Sequence, residues 1–137
     1  MIKELIYLIK LLFTKQSDEL EIVKMKHFPF TGYSAMSWCG KLITKQTYID
    51  NILINHELIH LHQALHFTSW ISYYLTYLWY WLKGKSFTSA SYYTIPFEME
   101  AYGNEKDLNY VPTKDSWRKY IIENRITVYK SNKYNWR

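Results

Sequence analysis

Asn51-Ile52-Leu53-Ile54-Asn55-His56-Glu57-Leu58-Ile59-His60 is the stretch around which the chain is organised. At helical pitch, residues four apart share one face, so the imidazoles of His56 and His60 can grip one metal ion. Glu57, one step round, points at the metal's open position. Neutral imidazoles suit Zn²⁺; a water completes such a site, and the metal lowers that water's pKa to roughly 7. Glu57 then reads as the general base. The apolar run Ile52-Leu53-Ile54 suits a buried helix, and metal ligands need a dry, rigid support.

Around this stretch, 137 residues make one domain with room for a single core. Hydrophobic residues at 48% against 21% charged place the chain in the globular class and exclude disorder. Aromatic content is high, with 14 Tyr, 6 Trp and 6 Phe. Such residues build cores, line peptide clefts and settle at membrane interfaces, and composition alone does not choose among these. The net charge of +5 suits anionic lipid or acidic substrate. Nucleic acid is not expected, because no recognition motif accompanies the charge. With Cys39 the single cysteine, an internal disulfide and a Cys-rich zinc site are both excluded.

Residues 2 to 13 set Ile2, Leu5, Ile6, Ile9, Leu12 and Phe13 at helical spacing, with Lys3, Glu4 and Lys10 largely off that stripe. The stripe fits a helix packed on the domain or one lying in a membrane interface. Glu4 and Lys10 interrupt the apolar run and no small-residue cleavage site follows, so no signal peptide is expected. A cytoplasmic or membrane-peripheral location is the expectation.

A strand is expected over 20 to 27, a turn at Pro29 and Gly32, and one or two further strands over 34 to 47 with Gly40 at a turn or bulge. Lys41 to Lys45 is the candidate edge strand for an extended substrate. The metal helix should begin near Asp50 and run past His66.

Sixteen uncharged residues from Phe67 to Leu82 read as a second helix, too short to span a bilayer and either buried or interfacial. Lys83-Gly84-Lys85 ends it. Ser86 to Thr94 reads as a loop on the active-site side, and Pro96 opens a helix running toward Asn109. Thr113 and Asp115 start a last amphipathic helix containing Trp117, Tyr120, Ile121 and Ile122, followed by a basic, frayed tail from Lys130 to Arg137. The fold class is therefore α+β, with a small mixed sheet on the metal helix and a helical C-terminal half.

A catalytic zinc takes three protein ligands, and the motif supplies two. His66 lies about 9 Å along a continuous helix from His60, out of reach of the same ion. Glu98 and Glu100, on the later helix, are candidates beside it; at about 200° apart on a helix they cannot both face the metal. Gln63, nearly one turn after His60, lines the pocket, while His62 points away.

The pattern His56-Glu57-x-x-His60 is the HExxH signature of zinc peptidases. With Gln63 and His66 it resembles the metzincin pattern, but Gln63 stands where metzincins use the glycine that turns the chain back. Glu98-Met99-Glu100-Ala101 resembles the ExxA segment of gluzincins. That resemblance implies Glu98 as third zinc ligand, with Glu100 as the fallback, Ala101 as the small residue allowing close helix approach, and Tyr102 where a gluzincin often has Asp or Asn. Residues 49 to 105 thus resemble the core of a small gluzincin-type metallopeptidase, as in small bacterial proteins described only as zinc peptidases. The resemblance implies one catalytic Zn²⁺, peptide-bond hydrolysis with Glu57 as base, and a peptide or protein substrate. A further Tyr or His is needed for the oxyanion, with Tyr92 and Tyr93 as candidates. The alternatives are a zinc-stabilised binding module with an aromatic surface and a membrane-surface protein built on the helices of residues 2 to 13 and 67 to 82.

Overall fold

A computed structural model describes residues 1–28, 35–83 and 92–121. The turn expected at Pro29 and Gly32, the helix end at Gly84-Lys85, most of the loop from Ser86, Ile122 and the basic tail lie outside the described residues. The fold is α+β: helices α1 (Ile2–Leu11), α2 (Asn51–Leu65), α3 (Trp70–Leu82) and α4 (Pro96–Asn104), and strands β1 (Glu21–Lys24), β2 (Ala35–Trp38) and β3 (Lys41–Thr44). A short 3-10 helix spans Ser116–Tyr120.

The sheet is mixed and ordered β1-β3-β2, with β1 parallel and β2 antiparallel to β3. The expectation that Lys41 to Lys45 forms an edge is therefore corrected. Leu42, Ile43 and Thr44 are fully buried, and a stretch with so little exposed surface takes the centre. Trp38 pairs with Lys41 across a two-residue turn whose members, Cys39 and Gly40, both have positive φ. That is the turn geometry whose twist matches the strands, and glycine adopts it without steric cost. A Cβ on Gly40 would lie 3.5 Å from Leu61 and 3.6 Å from Trp70, so the turn sits against α2 and α3.

Asp50 caps α2, its carboxylate accepting from the Ile52 N–H. The helix stops at Leu65 and does not run past His66: the N–H groups of His66 and Phe67 turn back to Gln63 and Ala64 carbonyls, and Ser69 begins α3 with a reciprocal capping box to Ser72. Pro96 occupies the first turn of α4, as expected, but α4 ends at Asn104 and not near Asn109. The last helix is also shorter than expected, a single 3-10 turn and a half led by Asp115 in a left-handed conformation, with Ile121 already extended.

Burial in α1 differs most from expectation. Leu8 and Leu11 enter the core, whereas Ile2, Leu5, Ile6, Ile9 and Phe13 are exposed. Glu4 fixes that rotation by accepting from the backbone N–H groups of Lys26 and His27. The core joins Leu8, Leu11, Ile43, Leu61, Trp70, Tyr73, Phe97 and Trp117. Phe97 is its hub: its ring lies 4.9 Å from Tyr73, 6.1 Å from Tyr77 and 4.6 Å from Trp117. Seating Phe97 in this way fixes the rotation of α4 and hence the direction of its neighbour Glu98.

Candidate metal centre

α2 packs against α4, and Ala101 of α4 is completely buried. One side chain from α4 thereby reaches two from α2. The Nε2 atoms of His56 and His60 lie 3.1 Å apart, and each is 3.1 Å from Glu98 Oε1. Four-coordinate zinc with bonds of about 2.1 Å separates neighbouring ligand atoms by about 3.4 Å, so a triangle of this size fits the ion. His56, His60 and Glu98, all buried, form the cluster able to hold a metal among the described residues.

The far sides of the imidazoles show which lone pairs face the centre. His56 Nδ1 is 3.2 Å from Glu105 Oε1, and His60 Nδ1 is 2.9 Å from Gln63 Oε1. Gln63 has no freedom to flip: its Nε2 donates to the Phe97 carbonyl at 3.0 Å and to Glu100 Oε1 at 2.8 Å. Its oxygen therefore accepts, from His60 Nδ1–H and from the Tyr73 hydroxyl at 3.0 Å. Each histidine thus carries a proton on Nδ1 and turns the Nε2 lone pair inward. Two such lone pairs and a carboxylate oxygen converging on one point have the geometry to hold a cation between them.

In the metal-free chain the surrounding acids favour the protonated imidazoles. Burial pushes the His56 imidazole down, but hydrogen bonds to Glu105 and Glu98 outweigh it and lift the pKa to about 9. His60 is raised too, burial being outweighed by the charge and hydrogen bond of Glu98. Burial acts to raise Glu98, yet the histidines hold it well below the usual carboxylate range. Its second oxygen accepts from Tyr77 at 2.6 Å, and Tyr92 also bonds this carboxylate. Burial, and then the charge of Glu98, raise both phenols, which remain neutral donors.

Glu57 is 9% exposed and its carboxylate makes no hydrogen bond among the described residues. Its charge nonetheless reaches the site, acting to raise both histidines.

His56, His60 and Glu98 are thus brought together, with Glu57 near enough for its charge to act on both histidines. Glu100, the fallback ligand, is fully buried away from the triad, where its carboxylate accepts from Gln63, from Tyr110 at 2.7 Å and from Ser116. His66 is exposed at the end of α2, and His62 bonds the Leu58 carbonyl. The ring of Tyr102 packs on that of His56 at 4.5 Å, and Tyr93 packs on Tyr102 at 5.4 Å.

Three functional residues escaped the sequence. Glu105 does the holding that the gluzincin resemblance assigns to position 102, seven residues after Glu98 and not four. Asn55 makes this possible by donating to the backbone carbonyls of Glu105 at 2.7 Å and Asp107 at 3.1 Å. Gln63 acts on His60 itself. Its spacing three residues after His60 was the available signal for that contact.

A cavity lined by Leu11, Cys39, Gly40, Lys41 and Trp70 lies beneath α1 and has none of the triad in its walls. No family model matches the chain, and no curated protein or solved structure matches it.

Proposed function

We propose that the chain is a zinc-dependent peptidase in which His56, His60 and Glu98 hold one ion and Glu57 is the general base. The observation that carries this reading is the convergence of three inward-facing acceptor atoms, with the charge of Glu57 acting on both histidines. Zinc bound there would acidify a water to a pKa of about 7 and polarise a peptide carbonyl. Glu57 would then accept the proton of the attacking water at its carboxylate and return it to the leaving amine. Gln63 and Glu105 keep both imidazoles oriented, and Tyr77 steadies Glu98. Incubating the zinc-loaded protein with a mixed peptide pool and reading products by mass spectrometry tests this. Cleavage by wild type and its loss in Glu57→Gln support the reading.

Burial favours one alternative, a zinc that only stabilises the fold. His56 is 2% exposed and Glu98 4%, leaving little access for substrate. Under that alternative zinc raises the melting temperature while no peptide is cut.

A further inference from the structure

Every exposed residue of α3 is apolar: Ile71, Leu75, Leu78, Trp79 and Leu82. At about 100° per residue they form one strip, on the side of the helix away from Trp70 and Tyr73, which face the core. The strip ends at Lys83, whose ammonium lies 5.6 Å from the Trp79 ring centre and 5.7 Å from that of Tyr80. α1 carries a second strip, Ile2, Leu5, Ile6 and Ile9, continued by Phe13, also turned away from its buried residues Leu8 and Leu11. Lys3 and Lys10 run along one flank of it. Trp38 ties the two helices together, its Nε1 donating to the Leu8 carbonyl at 2.7 Å and its ring stacking on Tyr74 at 4.6 Å.

The ionised groups decide the partner. α3 has no charged residue, and the single acid of α1, Glu4, is engaged with the backbone at Lys26 and His27. The exposed charges of α1 and of the α3 end are therefore all cationic. In a symmetric pair of chains meeting through these strips, Lys3, Lys10 and Lys83 would face a like-charged rim. An anionic bilayer surface matches both parts, accepting apolar side chains at the acyl boundary and ammonium groups at the phosphates. Among the described residues no helix is long and apolar enough to cross a membrane, so the contact is a surface one.

We propose that α1 and α3 rest together on an anionic lipid surface, with Ile6, Ile9, Leu75, Leu78 and Trp79 inserted and Lys3, Lys10 and Lys83 on the headgroups. This inference is independent of the zinc reading. The test is co-sedimentation of the full chain with vesicles of phosphatidylcholine alone or mixed with phosphatidylglycerol. Binding to the mixed vesicles should exceed that to neutral ones by about tenfold or more, and should weaken toward 1 M salt. The double variants Leu75→Glu/Leu78→Glu and Ile6→Glu/Ile9→Glu replace exposed residues and should keep the wild-type melting curve while each loses most of the binding. Absence of binding by wild type, or binding that survives either double variant, overturns the proposal. So does light scattering that shows a dimer which the same variants dissociate, because the strips then belong to a second copy.

Discussion

Gln63 and Glu100 meet in the core, the amide Nε2 donating to a carboxylate oxygen at 2.8 Å, and this contact sets the orientation of His60. An amide so held offers only its oxygen to the imidazole, which fixes the proton on Nδ1 and the lone pair on Nε2. Gln63→Leu keeps comparable bulk and removes the acceptor. Zinc affinity should fall about 10- to 100-fold, as for other groups that orient a metal-bound histidine. Competition with a chromogenic chelator measures it; unchanged affinity would show that packing alone aims His60.

Glu100→Ala tests the other end. It leaves Gln63 Nε2, Tyr110 and Ser116 without their common acceptor in a site where Glu100 is fully buried. A loss of about 2–4 kcal/mol in unfolding free energy is expected by urea titration, given about 1–3 kcal/mol for a buried donor left unpaired. A change near zero would mean that water replaces the carboxylate.

Glu105→Ala removes the acceptor from His56 Nδ1 while the Asn55 contacts to backbone carbonyls remain. The expected result is again a 10- to 100-fold weaker zinc site, with partial rescue by Glu105→Gln, whose amide oxygen can still accept. Equal loss in both variants would point to displacement of the loop and not to loss of one hydrogen bond.

Protonation and zinc compete for the same atoms. The pKa of His56 in the folded, metal-free chain, about 9, lies above its ordinary 6.5. The proton therefore stabilises the metal-free fold fully below pH 6.5, and that contribution is lost as pH rises through about 9. Zinc must displace the proton, so its affinity should climb with pH by up to about tenfold per unit across that interval. Calorimetry in buffers of different ionisation enthalpy should show about one proton released per zinc at pH 7.5. No release would mean that His56 is already neutral.

What the sequence disclosed followed local chemistry. The HExxH spacing, the Asp50 cap and Pro96 at a first helical turn are set by residues within a few positions of one another, and each is found where expected. The sheet order was not legible, because a four-residue strand such as Lys41–Thr44 carries the same pattern at the edge as at the centre. In α1 the apolar stripe was read correctly as a stripe, but the sequence left open whether it packs on the domain or stays exposed. Its rotation depends on Glu4 reaching Lys26 and His27, more than twenty residues away. Glu100 read as the fallback ligand, since nothing local announces that Gln63, Tyr110 and Ser116 converge on it. Glu105 was hidden for the same reason: its role depends on Asn55, fifty residues earlier in the chain.

Metal content measures the central claim most directly. Wild type, Glu57→Gln and Glu98→Gln are each incubated with zinc at neutral pH, desalted and analysed by native and elemental mass spectrometry. Wild type and Glu57→Gln should each retain about one zinc per chain, and Glu98→Gln much less, because a carboxylate ligand is lost from a three-residue site. A wild type that retains no zinc, or a Glu98→Gln variant that retains as much as wild type, would contradict the assignment of His56, His60 and Glu98 as the metal centre.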